Sequence, residues 1–376
     1  MAALQRLKLG NVQSLVKNVL EDRFEEVGGD WLNECLLALS PSGYAAVAKG
    51  SKISWKQFGS GLKDVVIKDA FDSQFFEDDV TALAWLEVEC TEDREGAARA
   101  SEGTQQPHNS STSLQALLAV GCRSGQVKLF NQHGRLLVSQ FFELSAVKRL
   151  RVRGQGCMDG SQDLLVMYEE STVARVDGSA IFRVLASPER PAQTLDHGKW
   201  KLSTQEGMTD AVCCGLDATA EGGDFWGAAY YKLLAGGARP ALSVFAVCDE
   251  RHSSSAKEMV SKLASAAFTI AKSYLWGKPE DHQDKDDASS AASKPPIEPA
   301  RWVAATDALE DGKRTVRDIV LEPLCRVAAA SDTLGRVMVV DVEDFLVLRL
   351  FKGYREPQCA WVVERRTEGG QREAAE

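Results

Sequence analysis

Paired carboxylates, histidine–cysteine clusters and glycine-rich loops are the residue patterns that most often do chemistry. Each occurs in this chain only in a form that suits a turn or a solvated surface. The acidic runs Glu77-Asp78-Asp79 and Asp286-Asp287 fall in polar stretches. General acid–base catalysis needs a carboxyl whose pKa is displaced by a pocket, and a solvated acidic run lacks that displacement. The nine cysteines are scattered, odd in number and without a CxxC pair, and the five histidines lie in glycine-, serine- or acid-rich stretches. That spacing suits reduced thiols better than a disulfide framework or a zinc site. Gly59-Ser60-Gly61 and Gly154-Gln155-Gly156 open no clear helix, so they read as turns and not as phosphate cradles. No P-loop, Gly-x-Ser-x-Gly elbow or His-Glu-x-x-His sequence occurs. The expectation is a chain that is not an enzyme, with no catalytic residue, cofactor or metal. An enzyme with a site in a central channel is the less favoured alternative.

Composition narrows the partners. The formal net charge of -10, with no basic run, disfavours nucleic acid, because phosphate contacts need clustered Lys and Arg. Apolar residues make up 44% of the 376, enough for a packed core. No uninterrupted apolar run reaches about 18 residues, so no segment reads as a membrane-spanning helix.

The elements that would position any site are announced by a repeated phrase. Leu117 to Asn131 reads LLAVGCRSGQVKLFN, and Val327 to Asp341 reads VAAASDTLGRVMVVD. Each is a small apolar strand, a polar turn with glycine in the same place (Gly125, Gly335) and an alternating strand closing on Asn131 or Asp341. A weaker third copy, Leu164 to Asp177, carries Ser171 where the glycine should be. Such units recur at roughly 40–60 residues, near the length of a propeller blade. The chain therefore reads as all-β: a WD40-like β-propeller of about five to six blade-like units with one inserted amphipathic helix. The Trp-Asp and Gly-His signatures of a typical WD repeat are missing.

Residues 1–30 form an N-terminal segment, 31–363 the propeller-like domain, and 364–376 a polar tail. The tracts 91–113 and 277–300 are polar, without apolar period, and read as disordered loops. Residues 164–185 read as strands, and Ser187 to Gly207 as a polar connection holding a lone Trp200. The helix is expected over 256–276, where Ser255 and Glu258 make a capping box and Gly277 is the terminator. Its apolar residues include Met259, Leu263, Phe268, Ile270, Tyr274 and Trp276. Two readings stand: a stripe packed against a sheet, or a helix that inserts into a membrane interface or a partner groove.

Several blocks carry a family resemblance. They are Trp31 to Pro41, Gly121 to Leu137, the pair Lys199-Trp200, Ser261 to Phe268 with Trp276 behind it, Asp332 to Val342, and Phe351 to Glu356 followed by Trp361. In this order they are similar to the N-terminal domain of the non-catalytic, regulatory subunit of the Rab-3 GTPase-activating protein. The resemblance implies a propeller-like domain of a cytoplasmic subunit, peripheral at endoplasmic reticulum or vesicle membranes. It implies a catalytic partner subunit that supplies the GTPase-activating chemistry, a Rab-family small GTPase as the target, and a link to nucleotide exchange and vesicle trafficking. A general propeller adaptor in trafficking with a different partner is the rival reading.

Lys352, Tyr354 and Arg355 follow the last strand of the strongest repeat and are the candidate partner-binding residues. Fixing a tight turn is the alternative role. Family members are longer, so the expectation is either a fragment or a ring that closes with fewer units through the N-terminal segment.

Overall fold

A computed structural model describes Val19 and residues 35–57, 78–91, 112–153, 162–186, 194–216, 229–249 and 297–361, and the structural statements below concern these. They form five antiparallel sheets in chain order. The first holds β1 (Leu36–Leu39), β2 (Tyr44–Lys49) and β3 (Lys52–Gln57). The second runs β4 (Val80–Thr91), β5 (Thr112–Cys122), β6 (Gln126–Asn131) and β7 (Leu136–Phe141). The third runs β8 (Val147–Val152), β9 (Leu164–Tyr168), β10 (Thr172–Val176) and β11 (His197–Leu202). The fourth begins with β12 (Asp210–Leu216), β13 (Ala229–Gly236) and β14 (Leu242–Asp249). Two short strands then extend finished edges: β15 (Arg301–Val303) lies parallel to β11, and β16 (Asp307–Leu309) antiparallel to β14. The fifth sheet is β17 (Val316–Leu321), β18 (Val327–Asp332), β19 (Arg336–Asp341) and β20 (Val347–Lys352).

Packing explains why so many strands are apolar without interruption. Successive side chains of a strand point to opposite faces, so a sheet covered on both sides needs apolar residues at every position. Leu117 packs toward the third sheet and its neighbour Leu118 toward the first. Val166 faces the second sheet, while Leu165 and Met167 face the fourth. Leu233 and Leu234 divide in the same way between the third and fifth sheets. Four buried clusters thus lie between successive sheets, and each sheet supplies half of its neighbour's core.

The repeated glycines sit where one sheet hands the chain to the next. Gly335 has φ +79, and a Cβ there would lie 1.9 Å from the Tyr354 carbonyl oxygen. Gly125 has φ +93, and a Cβ there would lie 2.2 Å from the Glu143 carbonyl oxygen. In both sheets the chain leaving the outermost strand folds back over the middle hairpin, and only glycine leaves room for it. Ser171 in the weaker copy adopts the same left-handed φ of 58. Its hydroxyl donates to the carbonyl of Gln205, which lies just past β11, so a hydrogen bond holds the departing chain there. Elsewhere the hand-over is a backbone bond. Val80 N–H donates to the Gly50 carbonyl (2.7 Å), Val316 N–H to that of Gly237 (3.1 Å) and Tyr354 N–H to that of Gly335 (3.2 Å).

Local chemistry closes the next turns. Asn131 Oδ1 accepts from His133 N–H (3.0 Å) and Arg135 N–H (2.8 Å), and Asp341 Oδ1 from Glu343 N–H (2.9 Å) and Asp344 N–H (3.0 Å). This is why the repeat closes on an amide or acid side chain.

The structure corrects the sequence reading in three places. Residues Gly178–Ala186 form a helix, α1, and not strand. Asp177 caps it, its Oδ1 accepting Ser179 N–H at 2.8 Å, and Ala180, Ile181 and Val184 share one buried face. The capped turn and the three-to-four spacing outweigh the strand preference of Ile181 and Val184. Trp200 lies in β11 and is buried between the third and fourth sheets, not in a polar connection. Gly198 beside it makes the space, since a Cβ there would meet the indole at 2.3 Å. The tract 91–113 is shorter than expected, because Thr91 ends β4 and β5 begins at Thr112.

The hand-over geometry gives a paired prediction. Gly335→Ala is expected to lose about 2–4 kcal/mol by urea denaturation, from the left-handed φ and the blocked carbonyl. Gly312→Ala, with nothing within 4 Å and no positive φ, is expected to stay within about 1 kcal/mol of the wild type, on the stabilising side. Equal losses in the two would show that the fold-back is not what selects the glycine.

Candidate functional site

β8 supplies a group of charges at the boundary between sheets, part-buried at Arg149 and Arg151. Its sequence alternates Arg149, Arg151 and, just beyond the strand, Arg153, so period two puts all three on the face toward the fourth sheet. Arg149 Nη1 lies 2.9 Å from Asp210 and 3.0 Å from Asp318. Arg151 holds the same two carboxylates, with Nε donating to Asp210 Oδ1 at 3.0 Å and Nη2 paired to both acids. Asp210 begins β12 and Asp318 lies in β17, so two arginines bolt together the first strands of three sheets. Asp210 is fully buried and also accepts Ile319 N–H at 2.7 Å. Burial works against the Arg151 charge, and hydrogen bonding to Asp210 with the pull of both aspartates outweighs it, so its pKa lies above the ordinary arginine value.

A second buried network lies beside the first. Asp163, before β9, accepts from Arg175 Nε (3.0 Å) and Nη2 (2.8 Å), from Arg153 Nη1 (3.3 Å), and from Gly178 N–H at the start of α1 (3.1 Å). The Arg175 guanidinium also lies 3.5 Å from the Tyr231 ring centroid across the sheet boundary. Burial works against the Arg175 charge, and Asp163 together with Cys213 and Tyr231 outweighs it, so the Arg175 pKa is raised, while burial also raises the Asp163 carboxyl.

Between these networks a cavity of about 180 Å³ opens, lined among others by Arg151, Asp163, Cys213, Ile319 and Glu322. Of its charges, Arg151 is committed to Asp210 and Asp318 across sheet boundaries, and Asp163 to Arg153 and Arg175 within the third sheet. Burial raises the Cys213 thiol, and pushes that of Cys122, elsewhere in the core, up to about 11, so neither is a thiolate nucleophile at neutral pH. Among the described residues no cluster of three or more His, Cys, Asp or Glu could hold a metal, and no helix is long and apolar enough to cross a membrane. The arrangement joins sheets; it presents no general base aligned with a nucleophile.

The sequence-selected residues lie elsewhere, around β20. Lys352 ends that strand, Gly353 turns the chain at φ +87, and Tyr354 reaches the Gly335 hand-over with its backbone. The side chains of Lys352, Tyr354 and Arg355 are all exposed. Turn-making and surface presentation are thus divided between the backbone and side chains of one segment. The helix candidates Met259, Leu263, Phe268, Ile270, Tyr274 and Trp276 lie outside the described residues, as do both glycine clusters. Sequence reading passed over Arg149, Arg151 and Arg153, although basic residues at every second position of a strand are a visible signal. Lys199, noted only as part of a matching pair, is a buried bridge: its Nζ donates to the Phe142 carbonyl (2.8 Å) and to Glu143 (3.2 Å), tying β11 to the end of the second sheet.

Serial antiparallel sheets bolted through their first strands, with interior charges consumed in the bolts, define a class of repeated-sheet scaffold. Residues 31–376 match the family model of the Rab3 GTPase-activating protein regulatory subunit N-terminus, and the chain belongs to that family. Among solved structures it is similar to a chain of the "Crystal Structure of Mitotic Checkpoint Complex", with 11% identity and a TM-score of 0.40. That match covers 84% of this chain and 64% of the other.

Two predictions test the charged elements. Asp210→Ala is expected to cost about 2–4 kcal/mol in denaturant unfolding, because it strips two arginines that keep about a third of their surface in water. Asp318→Ala, itself one-third exposed, is expected to cost less than about 1 kcal/mol. The second concerns Asp332, which accepts from Leu334 N–H (2.9 Å), Arg336 N–H (2.9 Å) and Arg336 Nε (2.7 Å). Burial opposes its charge, but these donors hold the carboxyl below its usual range. A depressed folded pKa gives stability that is complete above the unfolded value of about 3.9 and is lost as pH falls toward the folded value. In urea titrations across that window, the wild type should lose stability more steeply on acidification than Asp332→Asn; parallel slopes would refute the assignment.

Proposed function

We propose that this chain is a scaffold within a Rab GTPase-regulating complex, contributing binding surface while a catalytic partner subunit supplies the GTPase-activating chemistry. In this reading the five sheets are blades of a WD40-like β-propeller. The first strands β4, β8, β12 and β17 line its axis, and each later strand lies further out. Support comes from family membership and from the packing of β4 on β8 and of β12 on β17. The recurring hand-over over each hairpin turn also supports it, since it advances the chain from one outer edge to the next inner strand.

The observation that carries the non-catalytic role is the match to a regulatory-subunit family, and the engagement of the arginines of β8 and β10 adds to it. Acceleration of GTP hydrolysis in trans requires an arginine or a water-positioning residue that reaches into the GTPase. Arg149, Arg151 and Arg175 are instead tied to Asp210, Asp318 and Asp163. The target is a Rab-family small GTPase, in vesicle trafficking. The setting is cytoplasmic, peripheral at endoplasmic reticulum or vesicle membranes, and the complex also serves nucleotide exchange.

Co-expression with the catalytic subunit of the Rab3 GTPase-activating protein is the direct test. The two are expected to co-elute at equal stoichiometry in size exclusion, while this chain alone leaves Rab GTP hydrolysis at its intrinsic rate. Separate elution would remove the scaffold role, and stimulation by the isolated chain would make it an enzyme.

A further inference from the structure

The fifth sheet ends unlike its neighbours. β20 is exposed at every one of its six residues, and among the described residues its only strand partner is β19. The strand is not polar: Val347, Leu348, Leu350 and Phe351 are all exposed large apolar side chains. Pairing sets their directions. Phe351 lies opposite Val337 and Arg349 opposite Val339, on the face away from the fourth sheet, while Leu350 lies opposite the buried Met338 on the other face. A long apolar strand with one unpaired edge is a template for another strand, and proteins normally blunt or cover it. In this molecule the outer edges of the third and fourth sheets are covered, by the three-residue strands β15 and β16.

Charge at this edge runs against the rest of the chain. From Leu346 to Arg355 there are three cations, Arg349, Lys352 and Arg355, and no acidic residue, in a chain of formal net charge -10. The Arg349 guanidinium lies 5.3 Å from the Phe351 ring, so it stays beside the strand and does not extend into solvent.

We propose that the free edge of β20 is a docking site for an extended segment of a partner protein. The segment adds as a fifth strand, with apolar side chains on both faces and acidic side chains opposite Arg349 and Lys352. Backbone hydrogen bonds along the edge would supply attachment, and the alternating side chains selectivity. A membrane surface would also favour exposed apolar and basic residues, but it offers no ladder of carbonyls and amides to an open strand edge. The inference rests on the exposure, pairing and charge of β20 and stands apart from the Rab-associated reading.

The test is fluorescence anisotropy of the full chain with a labelled ten-residue peptide of valine, leucine and threonine carrying two glutamates three residues apart. The glutamate peptide is expected to bind at least tenfold more tightly than the same peptide with lysines. The Arg349→Glu/Lys352→Glu double variant, altered only at exposed side chains and checked by its thermal melt, is expected to reverse that preference. Methylation of alternate peptide amides should abolish binding, and amide hydrogen exchange at 347–352 should slow in the complex. The proposal is overturned if neither peptide binds, if the two bind equally, or if the methylated peptide binds as tightly. Flotation of the chain on phosphatidylserine vesicles, lost in the double variant and unaccompanied by peptide binding, would assign the strand to a membrane instead.

Discussion

A small sheet that is apolar on both faces cannot stand alone in water, and most of this molecule follows from that constraint. The second, third and fourth sheets each split adjacent residues of one strand between two different cores, as Leu117 and Leu118 do. Burying one face while the other stayed wet would expose half the large side chains of these strands. Each sheet therefore needs a neighbour on either side, and the hand-over at the hairpin turn is what lets the chain deliver one. The left-handed glycines at 125 and 335 are a consequence, because the departing backbone occupies the volume a Cβ would take.

Charge serves the same end. The Arg149–Arg151–Asp210–Asp318 group spans the first strands of three sheets. A buried ion pair is seldom a large net gain over apolar packing, since desolvation consumes most of the attraction. Its contribution here is placement: Asp210 also accepts the Ile319 amide, so register and sheet-to-sheet distance are set together.

Among the described residues, the outer strands differ in how they are covered. Edge strands added to the third and fourth sheets blunt their margins, and the fifth sheet keeps its apolar, basic edge exposed. The residues that follow it, Gly353 to Arg355, combine a backbone fixed by the Gly335 turn with side chains that face solvent. A side chain held on a rigid turn loses little conformational freedom when it is ordered in a contact.

Much of this was legible in the residues. The glycines and the closing Asn131 and Asp341 mark turns because their chemistry acts on backbone a few positions away, and unbroken apolar runs mark strands covered on both faces. The order of matching blocks from Trp31 onward was enough for the family. What the sequence could not display is any pairing between distant elements. Arg151 and Asp210 are 59 residues apart and Arg151 and Asp318 are 167 apart, and no local pattern links them. Trp200 looked stranded in a polar connection because the sheets that enclose it come from other parts of the chain. Ile181 and Val184 looked like strand until the Asp177 cap and a core on one side made a helix. The residues alone thus determined turns, strand faces and kinship, all of which act over a few positions or through composition. Only the tertiary structure decided which charges meet and which edge stays open, because both depend on distances set by packing.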